Sequence, residues 1–356
     1  MLLSLCGTMS PISQAIRELI SLIATETIGA PTQIYAVTVE QLRDAWKSIS
    51  QEKRKSVLLY SDAPQMSLIQ LIIDSDIPTV ISVDDFEEIF AFNVVNSGKD
   101  LLTTLRQSTH TAVQISQLMN TSRNLILGPD RYTMSVMELA QDIMHFFSIE
   151  PNDEQLENLR TRLGDTTTLR DFMGVTFPQW QPTTDFRETL PREDQDALES
   201  VIHGYDPLTK RRPFEVVHWS PRWFQDGDAP DRQLTGPKLL AGPARTIFFG
   251  PYIYLPAGQW DCEIHIEFNG CRSDTMALLD IFNGSVLAAV TMRLPRHGIY
   301  AVDISFQNPK PDAHLEFRLQ ILKGAIEGEL RLLGVRVKRA APVEAKEELR
   351  LTHAPH

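Results

Sequence analysis

The sequence predicts an α/β fold joined to an all-β fold: an N-terminal parallel α/β domain, then a C-terminal antiparallel β-sandwich. Over roughly the first 150 residues, short apolar runs alternate with segments of helical spacing, which is typical of buried parallel strands and their crossover helices. After Phe214 apolar and polar residues alternate one by one, which is typical of half-buried antiparallel strands. A chain of 356 residues is long enough for two cores.

The N-terminal half contains five candidate strands. Their sequences are LLSLC, QIYAV, SVLLYS, PTVISV and NLILG, beginning at residues 2, 33, 56, 78 and 124. Helical spacing of apolar residues lies between them, as in the segment from Ile12 to Ile23. Strands that alternate with helices in this way predict a parallel sheet covered by helices on its faces.

A change of composition predicts the domain boundaries. We expect an α/β domain over 1–165, a connector with one helix over 166–213, a sandwich over 214–339 and a flexible tail over 340–356. The connector is rich in proline and hydroxyl residues, and its helix is predicted near residues 192–203. In the sandwich the stretch QWDCEIHIEFNG places Trp260, Cys262 and Ile264 on one face of a strand and Asp261 and Glu263 on the other.

Composition excludes several classes of function. The 34 basic residues against 46 acidic ones leave a net charge of -12, so no sequence-wide positive field favours nucleic acid. The three cysteines, Cys6, Cys262 and Cys271, lack metal-type spacing and are odd in number, which predicts no metal site and a reducing, cytoplasmic location. No run of ~18 uncharged apolar residues predicts a transmembrane helix.

The opening stretch MLLSLCGTMSPISQAIRELISLI has the layout of an anion-binding loop. An apolar strand ends at Gly7, a hydroxyl-rich turn follows, and a helix begins near Pro11. Unpaired backbone N–H groups and the helix dipole favour a phosphate at such a position. The candidate anion-binding residues are the glycine of the turn, its hydroxyl side chains and one arginine of the helix: Gly7, Thr8, Ser10, Ser13 and Arg17.

With that loop and the later stretch LILGPDRYTMSVMELAQDIMHFFSIEPNDEQLENL, roughly the first 165 residues resemble a P-loop sulfotransferase. The resemblance implies a loop that binds the 5'-phosphosulfate of 3'-phosphoadenylyl sulfate. The family's basic residue before Ser-Gly-Thr has no counterpart here, and Pro11 removes one backbone N–H. Without that cation the transferred group loses much of its electrostatic stabilisation. We therefore expect no cofactor, with 3'-phosphoadenylyl sulfate as the alternative.

A sulfuryl transferase also needs a base for the acceptor hydroxyl. His110 and His145 are the histidines of this half, and both are interpreted as structural. The acids of VDDFEEIF, beginning at Asp84, follow a strand end where α/β sheets place ligands. The favoured interpretation is a helix N-terminus enriched in acids, as the dipole prefers. No G-x-S-x-G elbow or G-x-G-x-x-G fingerprint occurs, so hydrolase and dehydrogenase functions have little support.

The stretch LAGPARTIFFGPYIYLPAGQWDCEIHIEF resembles carbohydrate-binding-like β-sandwich modules of bacterial surface-polysaccharide proteins. Exposed aromatic rings stack on the C–H faces of sugars. The candidate glycan-binding or partner-binding residues are therefore Trp219, Trp223, Tyr252 and Tyr254, with Arg245 as a hydrogen-bonding side chain. Core packing of the same aromatics remains open, as do docking on a protein partner and homodimer formation.

Three functions follow from these patterns. The preferred one is a non-catalytic accessory or binding protein of bacterial surface-polysaccharide biosynthesis, of the exopolysaccharide or cellulose type, which binds a glycan or a protein through the sandwich. The second is a sulfotransferase acting on a glycan or small-molecule hydroxyl. The third is a structural or regulatory interaction protein. The absent loop cation favours the first and third over an enzyme.

Overall fold

The N-terminal half alternates strands and helices. A computed structural model describes residues 1–177 and 186–340. The elements of the first half are, in order, β1 (Leu2–Gly7), α1 (Pro11–Thr27), β2 (Thr32–Tyr35), α2 (Val39–Ser48), β3 (Val57–Ser61), α3 (Met66–Asp74), β4 (Thr79–Ser82), α4 (Phe86–Ser97), α5 (Leu101–Leu118), β5 (Asn124–Leu127), α6 (Val136–Phe146), α7 (Asp153–Leu163) and α8 (Leu169–Thr176).

The five strands of this half form one parallel sheet in the order β2-β3-β1-β4-β5. The fold class predicted from the apolar runs is thereby confirmed, and each of the five predicted strands is present. Because β1 lies beside β4, the two strands end side by side, with Gly7 opposite Ser82. The loops that follow them meet at the carboxyl edge of the sheet, which is the edge where open α/β sheets bind ligands.

The second half is dominated by antiparallel strands. Its elements are, in order, α9 (Arg192–Thr209), β6 (Val216–Trp219), β7 (Gln225–Asp226), β8 (Lys238–Leu239), β9 (Arg245–Phe249), β10 (Pro251–Ile253), β11 (Gly258–Asn269), β12 (Met276–Phe282), β13 (Val286–Arg293), β14 (Gly298–Asn308), β15 (Leu315–Ile321) and β16 (Glu329–Arg339). The strands form two sheets, one with the order β13-β12-β15-β9-β7, in which β10 also pairs with β15, and one with the order β14-β11-β16-β6, in which β8 also pairs with β16. The predicted antiparallel sandwich is confirmed.

The alternation read from the sequence matches the burial of β11. Trp260, Cys262 and Ile264 are buried between the sheets, whereas Asp261 and Glu263 on the opposite face are partly exposed. This outer face of the second sheet is therefore polar.

The sandwich and part of the N-terminal half share one apolar core. Phe86 of α4, Leu105 of α5 and Tyr205 of α9 belong to the same buried cluster as Phe214 and Trp260 of the sandwich. Gly204 allows α9 to lie close to β6, since a β-carbon there would approach the Val217 side chain to 2.6 Å. Helices α4, α5 and α9 thus hold the sandwich against the α/β half through burial of apolar surface.

Parts of the sequence predictions fall outside the described residues. These parts are residues 178–185 of the predicted connector and residues 341–356 of the predicted tail. Within the described ranges, no helix combines the length and the apolar character that a bilayer crossing requires.

Candidate functional site

The opening loop of the chain is closed. The Thr8 backbone N–H donates to the Ser82 carbonyl at 3.1 Å, which uses one of the amide donors that a phosphate would need. The Asn93 side chain of α4 donates to the Met9 carbonyl at 3.1 Å and holds the turn against the helix. A β-carbon at Gly7 would lie only 2.4 Å from Ser82 Oγ, so the loop packs tightly on β4.

The loop hydroxyls bond to one another. Ser82 Oγ donates to Ser13 Oγ at 2.8 Å, Ser13 Oγ lies 3.2 Å from Ser10 Oγ, and Thr8 Oγ1 donates to Ser10 Oγ at 3.3 Å. Thr8 and Ser10 are fully buried. The cavity beside Gly7 and Ser13 has a volume of about 20 Å³. Such a volume accommodates about one water molecule and is too small for a phosphate group.

Arg17 lines the same small cavity as Gly7 and Ser13, but its side chain has partners within the chain. Its guanidinium pairs with the Glu18 carboxylate at 3.0 Å and lies over the Tyr60 ring at 5.0 Å. The structure brings Gly7, Thr8, Ser10 and Ser13 together, but as a self-bonded cluster. The hydroxyls of the loop thus have hydrogen-bond partners inside the protein, and anion binding by this loop stays a prediction.

The two tryptophans predicted as sugar platforms are core residues. Trp219 and Trp223 are each 1% exposed. The Trp219 ring packs edge-on against Phe317, and the Trp223 indole N–H donates to the Ala197 carbonyl of α9 at 3.3 Å. A ring enclosed in this way cannot stack on a sugar that approaches from solvent, so the structure corrects the prediction at both positions.

The other predicted glycan-binding residues have partners within the chain. Arg245 donates from Nε to Asp228 at 2.7 Å and from Nη2 to the Leu239 carbonyl at 2.8 Å. These contacts leave little of its guanidinium for a ligand.

Tyr252 and Tyr254 lie where the sandwich meets α5. The Tyr252 ring lies under the Arg106 guanidinium at 4.8 Å, and its hydroxyl donates to Glu316 at 3.0 Å. The Tyr254 ring contacts the His110 ring, with 4.5 Å between centroids. Both tyrosines are partly buried and hold two parts of the same chain together. Partner binding to another molecule through them stays a prediction.

A broad groove lies elsewhere on the sandwich, where the exposed side of α9 meets the β6 edge of the second sheet. Its volume is about 930 Å³. Histidines and arginines of the sheet line one side, and Glu193 and Asp196 of α9 line the other. Apolar contact surface comes from Pro221 and from Leu333, which is 37% exposed.

A row of polar side chains crosses the sheet, and its end at β6 and β16 lines this groove. His218 of β6 lies opposite Arg336 of β16, Arg336 lies opposite Glu263 of β11, and Glu263 lies opposite Asp303 of β14. Arg336 reaches the Glu263 carboxylate at 3.4 Å, and His265 Nε2 lies 3.7 Å from the same group. Neighbours on one face of an antiparallel sheet are ~5 Å apart, so these groups form one continuous hydrogen-bonding surface.

The electrostatics of the groove keep one imidazole neutral. Burial lowers the pKa of His218 below its ordinary value, and the positive charge of Arg336 lowers it further. A neutral imidazole offers one donor and one acceptor. Arg331 also lines the groove and forms no ion pair with the described residues. Its guanidinium donors are available to a ligand.

Sequence reasoning missed most of these groove residues. Their signal was the phase of the alternation: His218 and Arg336 fall between buried neighbours and therefore point outward. The pairing of β6 with β16, which makes them neighbours, has no sequence signal that identifies it.

No metal centre is formed by the chain as far as the structure describes it: over 1–177 and 186–340, no three histidine, cysteine or acidic side chains are grouped closely enough to bind an ion. The three cysteines are free and buried. Burial raises the pKa of Cys6 to about 12, which makes it a poor nucleophile.

Comparison with known proteins yields distant structural similarity. No family model and no curated protein sequence matches the chain. A mouse sulfotransferase, SULT7A1 complexed with PAP, has a TM-score of 0.38 and 10% identity, covering 59% of this chain and 83% of its own. Retinol dehydratase in complex with androsterone and inactive cofactor PAP has a TM-score of 0.38 and 10% identity, covering 56% and 78%.

Carbohydrate-binding modules are also among the solved structures that resemble the chain. The C-terminal CBM6 of LamC from Zobellia galactanivorans has a TM-score of 0.21 and 14% identity, covering 28% of this chain and 76% of its own. The module CBM6cm-2 from Cellvibrio mixtus lichenase 5A, in complex with cellotriose, has a TM-score of 0.20 and 13% identity, covering 28% and 73%. Similarities this distant do not assign a function.

Proposed function

We propose that this protein is a non-catalytic glycan-binding protein that serves bacterial surface-polysaccharide biosynthesis and holds the glycan in the sandwich groove. The observation that carries the proposal is the groove itself, an open site of about 930 Å³ along the polar face of a sheet. Ligand sites commonly have volumes of about 300–1,000 Å³, so an oligosaccharide segment is a reasonable occupant. By contrast, the cavity at the opening loop measures about 20 Å³.

The chemistry of the groove suits a sugar chain. Sugar hydroxyls both donate and accept hydrogen bonds, and the groove offers arginine donors, carboxylate acceptors and a neutral imidazole that does both. Leu333 and Pro221 offer apolar contact to the C–H faces of a ring. A wide, polar and partly exposed site is also compatible with water-mediated contacts. The recognition surface is thus built from the sheet face and from α9, without tryptophan platforms.

The sulfotransferase alternative is less well supported. It requires the opening loop to hold 3'-phosphoadenylyl sulfate, and the loop hydroxyls are buried and bonded to one another. The loop also lacks a cation before its helix. The interaction-protein alternative differs only in the occupant of the groove, which would be a polar peptide segment in place of a glycan.

Affinity electrophoresis of the full chain tests the proposal. The native gels contain soluble cellulose derivatives, xylan, laminarin or alginate, and mobility is compared with a gel without polysaccharide. We expect retardation by at least one of them. The variants His218→Ala and Arg331→Ala each remove about one ligand hydrogen bond, so each is expected to weaken binding by about fivefold to tenfold.

The matched control is Arg293→Ala on β13. Arg293 is exposed, lies in the other sheet and makes no ion pair with the described residues. It should leave retardation unchanged, whereas a general electrostatic attraction to acidic alginate would be reduced in all arginine variants alike. Unchanged mobility of the unmodified protein in every gel argues against a glycan in the groove and favours the interaction-protein alternative.

A further inference from the structure

A second cavity lies at the carboxyl edge of the parallel sheet and shares no lining residue with the groove. Its volume is about 250 Å³, and it opens where β4 leads into α4. Asp84 and Glu88 line it from the β4–α4 segment, Tyr132 from the segment after β5, and Arg170, Met173 and Phe177 from α8 and its end. Carboxyl ends of parallel strands are the usual position of ligands in open α/β sheets.

Asp84 is the unusual member of this cavity. It is 1% exposed, yet it makes no ion pair with any residue in the described ranges. Its Oδ1 accepts a hydrogen from the Tyr132 hydroxyl at 2.6 Å and another from the Asp85 backbone N–H at 2.9 Å. Acidic residues are almost never fully buried unless they are paired. Such a carboxyl group borders the cavity with two hydrogen-bond donors and no cationic partner among the described residues, so a cationic ligand in the cavity could pair with it once it ionises.

The groups around Asp84 create a negative environment. Glu88 and Asp85 add carboxylates from α4 and its N-terminal side, and Asp85 is paired with Lys210 at 3.0 Å. Arg170 is the cation of the cavity wall, and it lies over the Tyr132 ring at 5.0 Å. Burial raises the pKa of the Asp84 carboxyl to about 7, the Tyr132 bond opposes the rise, and the charge of Glu88 adds to it.

Beside Arg170, α8 and its end add apolar surface to the cavity. Met173 and Phe177 present a thioether and a ring, and Gly174 leaves open space, since a β-carbon there would meet nothing within 4 Å. A ligand with one charged end and one apolar end therefore matches the arrangement. The volume limits it to a small molecule, below the ~300 Å³ of typical drug-sized sites.

We propose that this cavity is a binding site for a small primary amine with an apolar group, whose ammonium pairs with Asp84 and whose apolar part lies against Met173 and Phe177. The amine binds as a cation, and the Asp84 carboxyl gives up its proton to water as the ion pair forms. Tyr132 then donates its hydroxyl hydrogen to a full carboxylate. The site is independent of the glycan groove and is unaffected by the outcome for that groove.

Calorimetric titration of the full chain with benzylamine tests the proposal. Benzylamine stays cationic between pH 6 and pH 8, so any proton released comes from the protein. Titration at pH 6 in two buffers of different ionisation enthalpy should show close to one proton released per amine bound, and almost none at pH 8.5. Because Asp84 is about one-tenth ionised at pH 6, the affinity should rise about tenfold between pH 6 and pH 8.

Two further ligands and two variants test whether binding depends on the charges of the amine and of Asp84. Benzyl alcohol has nearly the same shape without the charge and should bind more weakly by at least tenfold at pH 8, and benzoate should not bind. Asp84→Asn keeps the cavity and should remove both the proton release and the preference for amine over alcohol. The matched control is Asp44→Asn, which replaces an exposed carboxyl on α2. It should change neither the proton release nor the preference for amine over alcohol.

Gly174→Leu fills the cavity and provides a test that does not depend on Asp84. It should abolish binding of both benzylamine and benzyl alcohol while the protein keeps its unfolding transition. The proposal is overturned if benzylamine does not bind at millimolar concentration, if amine and alcohol bind equally, or if Asp84→Asn or Gly174→Leu leaves amine binding unchanged.

Discussion

The Tyr132 hydroxyl donates to Asp84 at 2.6 Å and joins the residues that follow two neighbouring parallel strands, β4 and β5. The acceptor is a carboxyl group that has no cationic partner among the described residues. Burial raises the pKa of Asp84 to about 7, and the same contact and burial raise the pKa of Tyr132. The pKa of Asp84 therefore depends on how this hydrogen-bonded pair is packed at the carboxyl edge of the sheet.

The first prediction concerns stability against pH. In the unfolded chain Asp84 ionises near its ordinary pKa of 3.8, whereas in the folded protein it keeps its proton until about pH 7. Its contribution to stability is therefore present below about pH 4 and is lost as the pH rises to about 7. Asp84→Asn removes this loss and should gain stability relative to the natural protein with rising pH, by at most about 4 kcal/mol.

Urea unfolding at pH 5, 6, 7 and 8 measures this difference. Asp44→Asn serves as the control, because it makes the same change of side chain at an exposed position on α2. A constant offset between Asp84→Asn and the natural protein across this range would contradict a raised pKa for Asp84.

Two glycines of helices should respond in opposite directions to alanine. A β-carbon at Gly204 of α9 would lie 2.6 Å from the Val217 side chain, so Gly204→Ala should push α9 away from β6 and cost ~1–3 kcal/mol. Gly174 of α8 meets nothing, so Gly174→Ala should gain up to ~1 kcal/mol from helix propensity. Thermal unfolding measures both. A gain at Gly204 would mean that α9 does not press on the sheet in solution.

Arg106 should be important for holding the sandwich against α5. Its Nε donates to the Pro251 carbonyl at 2.9 Å, and its guanidinium lies over Tyr252. Arg106→Ala removes a charge-assisted hydrogen bond and a partly buried cation–π contact, and we expect a loss of about 2–4 kcal/mol in urea unfolding followed by tryptophan fluorescence.

Arg123→Ala is the comparison for Arg106, since Arg123 forms an exposed ion pair with Asp76 at 3.0 Å. Exposed pairs contribute little, so its effect should stay below about 1 kcal/mol. Similar losses for the two arginines would show that Arg106 has no special role at this junction.

The closed opening loop predicts that the protein does not bind adenosine 3',5'-bisphosphate. The hydroxyls of Thr8 and Ser10 are buried and their neighbours fill the space that a phosphate needs. Calorimetric titration should show no heat at millimolar nucleotide, for the natural protein and for Thr8→Ala/Ser10→Ala alike. Micromolar binding that the double variant loses would mean that the loop opens, and it would restore the sulfotransferase alternative.

The sequence by itself determined the class of each half and most strand positions. Continuous apolar runs such as LLSLC and one-by-one alternation such as QWDCEIHIEF report the faces that a strand buries, because side-chain direction depends on local backbone geometry. The burial of Trp260 and Cys262 follows directly from this phase.

Only the tertiary structure decided what each candidate residue does. Trp219 and Trp223 became core because α9 and the facing sheet cover them, and the opening hydroxyls became a closed cluster because β4 brings Ser82 against Ser13. His218 and Arg336 share a groove through the pairing of β6 with β16. Such contacts join residues far apart in the chain, and the local periodicity that predicts an element carries no information about which distant element packs beside it.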